Sequence, residues 1–238
     1  MNRILILIIS LFTSLIYGQS FEGKLTYKIE FEINMEGISE NDMINHMKKS
    51  GEYFDTLVIN IKKGNYEKLV NSANSKRIVY RPDSNKIYNF DSGFEYVLIT
   101  NAKKYGATII DFEKPKIIQN DSIVSILGKK CNSITFSWGN LGEETYFYND
   151  SFLKINPELF QEHNFEYLNE VLNLTKSYPT QIIKSLNDFI KIKMILVDYS
   201  EEKIDDSSFE IPELQLADKE YSELIKQTTG QEVMQLKN

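Results

Sequence analysis

In the stretch FEGKLTYKIEFEIN, every second position is apolar: Phe21, Leu25, Tyr27, Ile29, Phe31 and Ile33, with Gly23 in the same series. Charged and hydroxyl residues fill the places between. A period of two predicts a strand with one dry and one wet face. Extended to about 40 Å, such a strand is expected to curl rather than lie flat. The period then changes. In ISENDMINHMKKSG, Met43, Ile44 and Met47 recur at helical spacing, Ser39 and Asp42 form a capping-box pattern, and Gly51 fits the stop.

From Asp55 to Asn149 the pattern predicts a meander of short strands: DTLVINIK, KRIVYRP, KIYNF, FEYVLIT, ATIIDF, DSIVSIL, KCNSITFSW and EETYFYN. Turn signals such as Lys63-Gly64-Asn65 and Asp91-Ser92-Gly93 separate them. The absence of strand–helix–strand alternation argues against a parallel sheet. NPELFQEHNFEYLNEVLNLTKSYP predicts one or two short helices, with Pro157 at a helix start. TQIIKSL and DFIKIKMILVDYSEEKI read as a returning hairpin turning near Asn187-Asp188, and DSSFEIPE stops the sheet at Pro212. LADKEYSELIKQTTGQEV predicts a terminal helix and then a frayed end. The expected fold is mostly β (α+β): a single curved antiparallel sheet, an open half-barrel, with a few helices on its concave side.

The ends and the composition narrow the setting. MNRILILIISLFTSLIYGQS has a basic Arg3, an apolar run from Ile4 to Ile16 and a small-residue site at Gly18. This is the layout of a secretory signal peptide over residues 1–18, and the run is shorter than a bilayer crossing needs. No cysteine directly follows the run, so no lipid-attachment site is expected. The expectation is a periplasmic or secreted protein with a half-barrel domain over 19–213 and a helical tail over 214–238. A net charge of −7 without basic clusters argues against nucleic acid and anionic membrane surfaces as partners. The 14 Tyr and 14 Phe reinforce the β reading.

Catalytic templates are scarce. The chain has one cysteine, Cys131, and two histidines, His46 and His163. Alternation in KCNSITFSW sets Ile134, Phe136 and Trp138 on one face with Asn132, and Cys131, Ser133, Thr135 and Ser137 on the other. A thiol among small side chains reads as a structural residue. No nucleophile elbow, zinc helix, P-loop or dinucleotide fingerprint is present. Met43, His46 and Met47, at i, i+3 and i+4 of one helix with Met35 upstream, offer soft ligands that suit Cu(I); the same two methionines equally suit a helix's core face. No other metal and no cofactor is expected.

Beyond its residues, the chain resembles exported β-rich proteins around the GLPGLI family. The likeness lies in a leader running straight into FEGKLTYKIEFE, a Met-containing helix, the strand pair ILGKKCNSITFSW and EETYFYND, a helical stretch at INPELF and a close at IDDSSFEIPE. SYPTQIIKSLNDF stands in the place of the motif that names the family. Proteins of this texture resemble the LolA/LolB lipoprotein carriers, which implies a half-barrel whose concave side takes an acyl chain or other lipophile. In that architecture Tyr27, Ile29 and Phe31 of the first strand and Met43 and Met47 of the helix would line the cavity. Cys131, Ile134, Phe136 and Trp138 would line it from the later strand.

The leading expectation is a non-enzymatic envelope protein that binds a lipid or a lipidated protein. The alternative is a structural or protein-interaction module whose inner face is filled by its own side chains. An unrecognised hydrolase would need His46 or His163 beside a carboxylate or Cys131. Copper handling would need Met43, His46 and Met47 to converge on an exposed point.

Overall fold

The computed structural model describes residues 20–106, 114–186 and 189–237. The leader over 1–18, the expected strand ATIIDF and the turn residues Asn187-Asp188 lie outside the described residues. No helix among the described residues is long and apolar enough to cross a membrane.

The fold is one open antiparallel sheet of thirteen strands, in the order β12-β13-β6-β5-β4-β3-β2-β1-β11-β10-β9-β8-β7. The strands are β1 (Gly23–Ile33), β2 (Phe54–Lys62), β3 (Asn65–Ser72), β4 (Lys76–Arg81), β5 (Lys86–Asp91), β6 (Tyr96–Asn101) and β7 (Lys116–Ile126). They continue with β8 (Lys129–Ser137), β9 (Glu143–Tyr148), β10 (Gln181–Leu186), β11 (Ile190–Ser200), β12 (Leu214–Leu216) and β13 (Glu232–Leu236). The helices are α1 (Glu40–Ser50), α2 (Leu168–Thr175) and α3 (Lys219–Thr229).

Cross-strand pairs lie on the same face, so the register fixes what the inner face presents. Ile29, Met194, Ile182, Tyr146 and Ile134 form one rung across β1, β11, β10, β9 and β8. Phe31, Ile192, Lys184, Glu144 and Phe136 form the next. At the other end, Tyr66, Tyr80, Ile87 and Thr100 make a rung from β3 to β6. Beside it runs Lys68, Ile78, Asn89, Leu98 and, on β13, Val233. The sheet is strongly curved toward this face. Four inter-strand steps separate β3 from β10, about 19 Å in a flat sheet. The charges of Lys68 and Lys184 nevertheless act on each other and on the same carboxylate, Glu166.

The segment between β9 and β10 plugs one end of the concave side. Phe152, Leu153, Ile155, Phe160, Leu172 and Tyr178 pack on Leu25, Tyr27, Ile59, Ile61, Tyr66 and Tyr80 in the largest core. Pro157 opens a short 3-10 turn capped by Asn156. The β2–β3 turn abuts it so closely that a Cβ on Gly64 would lie 2.9 Å from the Leu159 carbonyl oxygen, and Gly64 is left-handed at φ +82. The convex side has its own strap. Ile204 and Phe209 cover Val79, while Lys62, Arg77 and Arg81 donate to the carbonyls of Ile204, Ser208 and Phe209.

The structure adds one strand and corrects one expectation. NYEKLVNS, which the expected meander leaves unassigned, is a full strand, β3. Residues 214–238 are more than a helical tail with a frayed end. Helix α3 forms, but it is flanked by β12 and β13, and β13 pairs with β6. The sheet therefore resumes after Pro212.

Candidate functional site

The concave side between the plugged core and α1 carries a band of half-buried side chains: Phe31, Phe54, Val70, Ile78, Ile192 and Met194. Two lysines interrupt it. Lys184 stands between Ile182 and Leu186 in the inner-facing series of β10; Lys68 stands between Tyr66 and Val70 on β3.

Lys184 is satisfied. Its Nζ lies 3.1 Å from Glu144 and 3.4 Å from Glu166. Burial opposes its charge, but Glu166 and Glu144 outweigh that and hold its pKa above the ordinary value. Lys184 in turn, against burial, holds the Glu166 carboxyl down at about 2. The Tyr146 hydroxyl donates to Glu144. Glu166 is enclosed by charge on several sides, yet its side chain is 49% exposed. It therefore faces an accessible recess, not a sealed core.

Glu166 is held there by unusual backbone. Glu166 and Tyr167 are both left-handed, at φ 52 and 56, a conformation that costs L residues energy and needs support. The chain leaving β6 supplies it. The Ala102 carbonyl accepts from Asn164 and Phe165 N–H, and the Tyr105 carbonyl accepts from Glu166 N–H at 3.0 Å. The Tyr105 hydroxyl donates to Glu170. Tyr167 then stacks toward Tyr105, Phe136 and Trp138. This strap joins the β6 end of the sheet to the β8 end across the concave side.

Lys68 is different. Its ammonium sits 5.0 Å from the centre of the Tyr66 ring, a cation–π contact. Among the described residues it has neither a hydrogen bond nor a carboxylate within ion-pair distance. Burial lowers its pKa, Lys184 lowers it further, and Glu166 opposes them. Next to it, the Tyr66 hydroxyl and His163 Nε2 share a 3.0 Å hydrogen bond. His163 packs edge-on to Tyr80 and is fully buried. Burial, then the Lys68 charge, push its pKa down to about 3, so it is neutral near pH 7. Among the described residues, His163 Nδ1 and the Tyr178 hydroxyl are buried without a hydrogen-bond partner.

The expected site residues divide. Tyr27, Ile29, Phe31, Ile134 and Phe136 share the inner face, and Trp138 packs beside the last two. Tyr27 and Ile29 lie in or beside the packed core, where the Tyr27 hydroxyl donates to the Pro179 carbonyl at 2.6 Å. Cys131 is on the opposite face. Fully buried against Ile126 and Phe147, its sulfur lies 3.2 Å from the Thr180 hydroxyl. Helix α1 forms as its caps require: the Ser39 side chain accepts from Asp42 N–H and Gly51 is left-handed. Met43 and Met47 are half-buried on it, and His46 is exposed. The hydrogen bond of His163 goes to a tyrosine, not to a carboxylate or to Cys131. Among the described residues no His, Cys, Asp and Glu cluster could hold a metal. Sequence reasoning missed Lys68, Lys184 and Glu166, and it weighed His163 only as a possible base, not as a buried partner of Tyr66. The available signal was a lysine occupying a dry-face position in β3 and β10.

No protein-family model and no curated protein matches the chain. Among solved structures, PNGF-II in two crystal forms is similar over 80% and 85% of this chain and 30% and 32% of its own. Identity is 13% and 10%, with TM-scores of 0.40 and 0.42. This chain thus spans about a third of the PNGF-II length. A LolA superfamily protein from Nitrosomonas europaea is similar over 82% of this chain and 92% of its own, at 9% identity and a TM-score of 0.24. At such values the likenesses bear on neither the site nor the activity.

Proposed function

We propose that the chain is a non-enzymatic envelope protein that binds a lipidic ligand, or the lipid of a lipidated protein, in the concave recess. The carrying observation is a dry face left half-open. A curled sheet normally seals its inner face, yet Phe31, Ile78, Ile192 and Met194 stay partly accessible beside the fully packed core. Apolar walls with a few placed polar groups suit a small lipophilic ligand. The test is a lipophilic fluorescent probe, 1-anilinonaphthalene-8-sulfonate. Its emission should rise on binding and fall several-fold with Ile192→Lys on the inner face. Ile195→Lys, on the outer face opposite Lys28, should leave it unchanged. Equal loss from both, or no binding, would contradict this reading.

A second reading has its own support. The plug of Phe152, Phe160 and Tyr178 packs into one end of the concave side, as an interaction module with a filled core would. On that reading the probe binds neither protein.

A further inference from the structure

The rung that carries Lys68 leads into a groove. Lys68 pairs across strands with Ile78, Ile78 with Asn89, and Asn89 with Leu98. These last three line a mostly apolar groove of about 290 Å³, walled on its far side by Tyr96, Phe94 and Tyr221 of α3. The rings of Tyr96 and Tyr221 meet at 4.6 Å and fix the helix over the sheet. The groove is at the small end of ligand pockets, which run from about 300 to 1,000 Å³, so it suits one chain rather than two. Lys68 stands one cross-strand position outside that lining, beside Ile78, and among the described residues has no carboxylate within ion-pair distance, whereas Lys76, which lines the groove, has Asp91, also in the lining, at 3.8 Å.

From this juxtaposition we propose that the ligand is a single-chain lipid with a carboxylate head, its head paired with Lys68 and its chain laid along the groove beneath α3. The inference rests on the lipid-binding reading and goes beyond it by naming the head charge, the chain number and the residue that selects them. The carboxylate would take the place that no protein carboxylate takes at Lys68. A charge pair within a recess is stronger than one in open water.

Calorimetric titration with dodecanoate and with 1-dodecanol tests it, since the two differ only at the head. The native protein should bind the acid about tenfold or more tightly than the alcohol. Lys68→Met should erase that difference and Lys68→Arg should keep it, with circular dichroism showing both variants folded. Tyr221→Ala, on the far wall, should weaken both ligands. If the native protein binds acid and alcohol equally, or Lys68→Met keeps the difference, the head assignment is wrong while the lipid reading stands. If Tyr221→Ala changes neither, the chain does not lie in the groove. If the native protein binds neither ligand, the lipid reading itself fails.

Discussion

The rung Tyr66–Tyr80–Ile87 and the rung Lys68–Ile78–Asn89 lie side by side on the same three strands. The first is sealed: Phe160, His163 and Tyr178 press onto it, with Phe160 stacked on Tyr80 and His163 edge-on to it. The second stays half-open, and its cation lacks a carboxylate partner. Strand, curvature and neighbours are nearly the same, so the difference comes from what the β9–β10 segment covers. Where the plug sits, side chains serve stability. One rung further along, the apolar surface that the plug leaves uncovered is available to bind.

The largest effect should come from the sealed rung. Phe160→Ala should cost about 3–5 kcal/mol of unfolding free energy, read from urea midpoints. Ile78→Ala, in the half-open rung, should cost about 1 kcal/mol, because less of its surface is removed from water. Equal costs would mean that the two rungs are packed alike.

Acid sharpens the same contrast. Burial lowers the His163 pKa from 6.5 to about 3. Between those values the unfolded chain binds the proton and the fold does not. The stabilisation is full above pH 6.5 and declines as pH falls, by about 1.4 kcal/mol per pH unit from this group. Glu166, lowered from 4.5 to about 2, adds a loss in the same direction below pH 4.5. His163→Gln should be less stable than the native protein at pH 7 but lose less on going to pH 5. Parallel loss in both proteins would place the acid sensitivity elsewhere.

Tyr27→Phe removes the donor to the buried Pro179 carbonyl and should cost about 1–3 kcal/mol, seen as a lower melting temperature with no change in ligand binding. The smallest effect belongs to Ser39→Ala. It removes the α1 N-cap, worth about 1 kcal/mol. No α1 residue is buried, so hydrogen exchange within 40–50 should quicken while the global midpoint barely moves.

Much of this was legible in local sequence. The period-two run of β1 and the Ser39, Asp42 and Gly51 signals of α1 act within a few residues, and both elements form where expected. Strand β3 was hidden because Glu67 and Lys68 break its apolar alternation. Glu67 is buried with Arg77 of β4 donating to it at 2.6 Å and Asn60 of β2 at 2.9 Å. Strands β12 and β13 were hidden because β13 pairs with β6 across well over a hundred residues. Within the site, alternation set Phe31 and Phe136 on dry faces; it also set Cys131 on the face away from Ile134, against the expectation that the two line one cavity. What alternation cannot supply is which rungs align across five strands, or that a curled sheet brings Lys68 toward Lys184 and Glu166.

Native mass spectrometry of the protein purified from its native host, with organic extraction of what accompanies it, is the most direct test of the half-open recess as a lipid site. One molecule of a single-chain acid per protein is the expected result, lost in Lys68→Met. A bare protein mass under gentle ionisation, with no lipid in the extract, would contradict it and leave the concave side as the inner face of an interaction module.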